Sequence, residues 1–269
     1  MNVADFMSEG SAKLSKAAIE TARLDVLVLL EDVLSIDRAQ LLAHPERELN
    51  KTQTDLLNEK VMRRSKHIPL AYIRGKIAFF GREFFVDERV LVPRPESETI
   101  IELLKGLPLP KDPEILDVGT GSGCLGLTAA LEIPTAEICL SDISNDALRV
   151  AKQNANTLHI TNVSLINADL AEPCATQHFD VVLANLPYVP EHFPINDAAR
   201  HEPGLALFAG ADGLDAYKKF WRQLTESEQK PSYVLAESLP FQHHANAMLA
   251  RAAGYTLQRA EDFIQLFAI

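Results

Sequence analysis

Basic residues are scarce in this chain: 26 Lys and Arg stand against 37 Asp and Glu in 269 residues, a formal charge of −11. A phosphate backbone is repelled on average by such a surface, which counts against nucleic acid as the default partner. Cysteine is nearly absent. The three that occur, Cys124, Cys139 and Cys174, are an odd number with no Cys-x-x-Cys spacing, so neither a disulfide framework nor a zinc site is expected, and they read as small buried apolar residues. Long apolar runs are missing too. The most hydrophobic early stretch, Leu24 to Leu34, is interrupted by Asp25, Glu31 and Asp32, far short of the roughly 20 apolar residues of a membrane span. Met1 to Lys16 carries acids and lacks an apolar core with a cleavage site, so it does not read as a secretory signal, and a cytoplasmic location is expected. Glycine is absent between Ser11 and Arg74, and Pro45 is the only proline before His67 in that stretch, which favours helices there.

What is present fits a soluble globular protein, 47% hydrophobic and 23% charged. From Ala12 to about Lys66 the pattern is helical, with Leu27, Leu30 and Leu34 on one face, Leu57 and Val61 at i, i+4, and Thr54 as the candidate N-cap of the latter helix. The period then shortens: Ile77, Phe79, Phe80, Phe84, Phe85 and Val86 around Gly81-Arg82 predict a β-hairpin. Beyond Pro93, strands at 114–118, 137–140, 163–166, 179–184 and 232–237 alternate with helical patterns, and two strands close the chain. Such alternation predicts an α/β fold with a mostly parallel sheet, helices on both faces and ligand at the carboxyl ends of the strands. Three parts are expected: a helical domain over 1–73, for packing or for substrate docking, a hairpin linker over 74–92 and a catalytic domain over 93–269.

Four constellations carry chemistry. Gly119-Thr120-Gly121-Ser122-Gly123 is a glycine-rich turn between a predicted strand and helix, where backbone N–H groups can meet an anionic group at close range. Asp142 follows the next strand, where an acid either accepts both hydroxyls of a ribose or joins Ser144 and Asp146 at a helix start. Asp169-Leu170 after a further strand either flanks an adenine or forms an ordinary turn. Asn185-Leu186-Pro187-Tyr188 follows an apolar strand. A planar sp² nitrogen is a poor nucleophile, because its lone pair is delocalised. The Asn185 side-chain carbonyl and the Leu186 backbone carbonyl can hold its N–H groups, Pro187 restricts Leu186 to extended conformations, and Tyr188 supplies a flat wall. The alternative is a loop with a turn proline and a buried tyrosine.

Taken together, these motifs resemble the release-factor glutamine methyltransferases, a branch of the class I methyltransferases. The resemblance covers nearly the whole chain: Pro69-Leu70-Ala71-Tyr72-Ile73-Arg74-Gly75, the hairpin, Leu91-Val92-Pro93-Arg94-Pro95-Glu96-Ser97-Glu98, the glycine turn, Asp142-Ile143-Ser144, the tetrad, Glu202-Pro203, Ala206-Leu207 and Gly210-Ala211-Asp212-Gly213-Leu214. The Pro93–Glu98 segment is absent from general methyltransferases; by itself it reads as a rigid linker capped by the following helix. The resemblance implies a Rossmann-like seven-stranded sheet behind a small helical domain. It also implies S-adenosylmethionine held by Gly119, Thr120, Gly121, Ser122, Gly123, Asp142, Asp169, Leu170 and Asn185. Asn185, Leu186, Pro187 and Tyr188 would hold the glutamine of a Gly-Gly-Gln loop in class-1 peptide chain release factors. A monomer without metal or membrane contact is expected. The family usually has proline in place of Leu186 and commonly threonine in place of Ser97, and Asp262 to Ile269 matches it poorly.

The rivals are methylation of another protein glutamine, as in a ribosomal protein, methylation of an exocyclic amine of adenine or cytosine, and a non-enzymatic protein that binds S-adenosylmethionine while docking factors. Val189 to Gly213 lacks periodicity and reads as a substrate-facing lid, with His192, His201 and Glu202 as solvated loop residues.

Overall fold

The computed structural model describes residues 1–269. The chain folds as two compact units, the first comprising Met1–Gly75 with Asn196–His201 and the second Lys76–Ile195 with Glu202–Ile269.

The smaller unit is helical: α1 (Val3–Lys16), α2 (Ala22–Leu34), α3 (Arg38–Ala43), α4 (Lys51–Arg64) and α5 (Leu70–Arg74). Phe6, Leu14, Val26, Leu30, Leu57 and Val61 form its core. Helix α1 starts nine residues earlier than the apolar period indicates, because Asn2 and Asp5 form a capping box. The N-cap of α4 is Asn50, reciprocally bonded with Gln53, and not Thr54, whose hydroxyl instead donates to the Asn50 carbonyl from inside the first turn. The charges that interrupt the apolar run of α2 are answered: buried Asp25 accepts from Arg64 Nε at 2.6 Å, and Asp32 from Arg74 Nε at 2.6 Å.

The larger unit opens with an antiparallel hairpin, β1 (Lys76–Phe79) and β2 (Arg82–Phe85). It is docked into this unit. Phe79 and Phe84 meet edge-to-face in the core, and buried Asn154 bonds to both the N–H and the carbonyl of Phe85. There follow α6 (Glu98–Lys105), β3 (Glu114–Val118), α7 (Cys124–Glu132), β4 (Glu137–Asp142), α8 (Asn145–Thr157), β5 (Val163–Asn167), β6 (Val181–Ala184), α9 (Gly204–Leu207), α10 (Asp215–Glu226), β7 (Tyr233–Glu237), α11 (His243–Ala252), β8 (Thr256–Glu261) and β9 (Ile264–Ala268). The sheet order is β5-β4-β3-β6-β7-β9-β8, parallel except for β9, which runs antiparallel to both its neighbours.

Alternation along each strand separates two apolar layers. Ile115, Val181 and Leu183 face one layer, with Leu127 and Ile101; Leu116, Val182 and Ala184 face the other, with Tyr217, Trp221 and Phe267. Cys139 and Cys174 are buried, Cys124 is half-buried, and all three are free thiols. No helix is long and apolar enough to cross a membrane.

Candidate active site

The order of strands reverses between β3 and β6, which places a crevice at their carboxyl ends. Register then decides what meets there. Val118 pairs with both Ser141 and Ala184, and Ala184 with Ala236, so the residues that follow, Gly119, Asp142, Asn185 and Glu237, stand side by side along one sheet edge. A cavity of about 480 Å³ opens above it. Among the residues singled out from sequence, Gly119, Gly121, Asp142, Asp169, Leu170, Asn185, Leu186 and Pro187 line this cavity.

At one end lies the glycine turn. Gly121 has φ +55° and its N–H donates to Asp142 Oδ2 at 2.9 Å. The other Asp142 oxygen accepts from Ser144 N at 2.9 Å, so this acid stands at the start of α8 as well as on the cavity wall. Burial raises its pKa, partly offset by these N–H donors. Each carboxylate oxygen retains a lone-pair site, enough for two hydroxyls. Thr120, Ser122 and Gly123 stand behind this wall and do not line the cavity. Thr120 donates its hydroxyl to Asp117 Oδ2 at 2.5 Å, the Ser122 carbonyl accepts from Asn154 at 2.8 Å, and Gly123 leads into α7 against Leu127 and Ala151. Asp117 is fully buried, also accepts from Gly126 N, and has its pKa raised by burial to about 6. Asp169 pairs with Lys219, another wall residue.

At the other end Asn185 projects from the end of β6. Its Nδ2 donates to Ser97 Oγ at 3.0 Å, Ser97 Oγ donates to Glu237 Oε2 at 2.6 Å, and Tyr188 donates its hydroxyl to Glu237 Oε1 at 2.9 Å. Ser97 and Glu237 are each 1% exposed. Burial raises the Glu237 pKa against the lowering effect of its two hydroxyl donors, and burial beside Glu237 raises that of Tyr188. Tyr188 does not line the cavity; its backbone carbonyl is held by Gln242 Nε2 at 2.8 Å, which also reaches the Asp212 carbonyl at 2.8 Å. Gly213 makes this bridge possible. A Cβ there would stand 2.2 Å from the Tyr188 oxygen and 2.5 Å from Gln242 Nε2, at φ +74°. Under the tetrad, the buried Tyr217 hydroxyl bonds to the carbonyls of Ala184 and Glu237 and takes a backbone hydrogen bond from Leu186.

The long connection is anchored. Val189 pairs with Phe208, and Pro203, Leu205, Ala206, Phe208, Ala209 and Gly210 all line the cavity. Glu202 is not a solvated loop residue: its carboxylate is buried and accepts from Val92 N at 3.0 Å and Arg94 Nη2 at 2.6 Å. This clamp and Ser97 give the Pro93–Glu98 segment a structural purpose beyond a capped linker.

Sequence reasoning missed Glu237, Gln242 and the part played by Ser97. Glu237 left a readable signal, since an acid ending an otherwise apolar strand falls on the sheet edge where ligands bind. Gln242 left none, because its partners are backbone carbonyls far away in the chain.

Residues 5–75 match the PrmC N-terminal domain and residues 98–201 the methyltransferase small domain. A release factor glutamine methyltransferase of Coxiella burnetii is 40% identical over 200 residues, covering 74% of this chain and 72% of that protein. One from Deinococcus radiodurans is 31% identical over 265 residues, covering 97% and 95%. A bifunctional methyltransferase of Rickettsia bellii is 33% identical over 252 residues, and there the chain spans less than half, 45%, of the relative's length. Among solved structures, a methyltransferase from Pyrococcus furiosus shares the fold with a TM-score of 0.51 at 16% identity, over 81% of this chain and 97% of that one. Two domain matches in the expected order, and relatives aligned over most of both chains, agree with the glycine turn, the acid of β4 and the Asn-Leu-Pro-Tyr tetrad on one sheet edge: the chain belongs to the release factor glutamine methyltransferase family.

Proposed function

We propose that this protein methylates the side-chain amide nitrogen of the glutamine in the Gly-Gly-Gln segment of class-1 peptide chain release factors, with S-adenosylmethionine as donor, acting in the cytoplasm as a monomer. The donor fits the cavity chemistry: Gly121 leaves room at the turn, Asp142 can accept two hydroxyls, and Ile143, Ala147 and Leu170 give apolar surface for a flat base. When bound, it supplies an electrophilic methyl group on a positively charged sulfur.

The observation that carries the reading is the state of Asn185. One N–H of its amide is donated to Ser97 Oγ, which fixes which end of the side chain faces Ser97 and leaves the carbonyl oxygen, an acceptor, for a ligand. With the Leu186 carbonyl this gives two acceptors for the two N–H groups of a primary amide. Held in this way, the acceptor nitrogen can be aimed along the line of transfer. The new C–N bond forms as the C–S bond breaks, and the surplus N–H proton leaves to solvent, so the chain needs no general base. Alignment of this kind can lower a barrier by about 7 to 11 kcal/mol.

Incubation with methyl-labelled donor and purified release factors, followed by mass-spectrometric mapping, should place the label on the Gly-Gly-Gln glutamine. Label in nucleic acid, or on a different side chain, would overturn the assignment.

A further inference from the structure

We infer that Ser97 and Glu237 are positioning residues that fix which end of the Asn185 amide meets the acceptor, and thereby make the site select an amide over a carboxylate. This rests on the reading of Asn185 given above and extends it to two residues that never touch the substrate. The side chain of asparagine is nearly symmetric in shape, so packing alone does not distinguish its oxygen from its nitrogen. Hydrogen bonding does. Both hydroxyls that reach Glu237, those of Ser97 and Tyr188, donate their single proton to it, one to each carboxyl oxygen. Ser97 Oγ then has only lone pairs to offer in the direction of Asn185, and the atom 3.0 Å away must be a donor, Nδ2. The carbonyl oxygen is thereby turned towards the cavity. Arg94 and Glu96, whose charges act on Glu237, come from the segment that carries Ser97, and Glu202 holds Arg94 in turn.

Without the Ser97 oxygen the amide loses the hydrogen bond that distinguishes its two orientations. The flipped one presents N–H groups to the cavity, which suits a carboxylate and repels the acceptor N–H groups. The experiment compares Ser97→Ala, Ser97→Thr, Glu237→Leu and Asn185→Ala, using a release factor with its natural Gly-Gly-Gln and the same factor with Gly-Gly-Glu. Ser97→Ala should lower the single-turnover rate by roughly 10²-fold, as small misplacements in aligned sites do. It should also shrink the binding preference for the glutamine over the glutamate factor by about tenfold or more, the share of one hydrogen bond to a charged group. Donor affinity by calorimetry should stay unchanged. Ser97→Thr, which keeps the hydroxyl, should restore both rate and preference, and Glu237→Leu, which deletes the acceptor, should behave as Ser97→Ala wherever it still binds the donor. A merely structural role would lower stability and leave the preference intact. If Asn185→Ala is inactive while Ser97→Ala keeps the full preference, the positioning role is wrong and the site reading stands; if Asn185→Ala is fully active, the site reading itself has failed.

Discussion

At the scale of single residues, burial sets the behaviour of two groups that the chain cannot leave in water. Asp117 has its pKa raised to about 6 from an ordinary 3.8, chiefly by burial. A raised acid keeps its proton longer in the folded state than in the unfolded one. Its contribution is therefore most favourable below pH 4, and stability is lost as pH rises to about 6, after which both states are ionised and the loss is constant. The span is (6 − 3.8) × 1.36, on the order of 3 kcal/mol. Asp117→Asn retains an oxygen for Thr120 and Gly126 and cannot ionise. Urea titrations should show its stability relative to wild type growing from pH 4.5 to 6.5 and level above that; a difference independent of pH would mean that Asp117 titrates normally. Leu186 is the second case. The proposed role needs only its carbonyl, which proline would keep, yet its side chain is 1% exposed and its backbone bonds to Tyr217. Leu186→Pro should thus retain turnover per folded molecule while losing roughly 1 to 3 kcal/mol of stability, the usual result of removing a partner from a buried polar group. Loss of turnover with unchanged melting would show that the side chain acts on the substrate.

At the scale of elements, strands and helices were readable because their periods are set by burial: Glu114–Val118 and Val163–Asn167 fall where apolar content places them, and both closing strands exist. The glycine turn, Asp142 and the tetrad were readable because each follows a strand. Termini were less so, since caps such as Asn2 and Asn50 depend on side chains outside the periodic pattern. What stayed hidden was contact over distance. Nothing in the local sequence says that Ser97 meets Glu237, 140 residues later, or that Glu202 reaches back to Val92 and Arg94. Glu202 supplies the prediction at this scale. Glu202→Ala leaves the Val92 N–H without its acceptor, which should cost about 1 to 3 kcal/mol locally. Hydrogen exchange at the Val92 amide should accelerate, and kcat/KM for the release factor should fall while donor affinity holds. Unchanged protection at Val92 would show that Glu202 does not fix this segment.

At the scale of the whole molecule, two units with separate cores imply separate tasks. The apolar core of the helical unit is drawn from residues up to Ile73, whereas the two layers around the sheet begin at Ile77 and at Leu116. Every residue lining the cavity, from Arg89 to Lys219, belongs to the larger unit. The cavity is thus built without the helical unit, and we propose that this unit docks the protein substrate. A chain restricted to residues 76–269 should fold, bind S-adenosylmethionine with unchanged affinity and methylate a short peptide carrying Gly-Gly-Gln at the rate of the full protein. Towards the intact release factor its kcat/KM should fall by about tenfold or more, equivalent to at least ~1.4 kcal/mol of lost docking. The peptide arm separates this from damage to the site, because a disturbed cavity would slow both substrates alike. Equal kcat/KM of the short and full chains on the intact factor would remove the helical unit from substrate recognition.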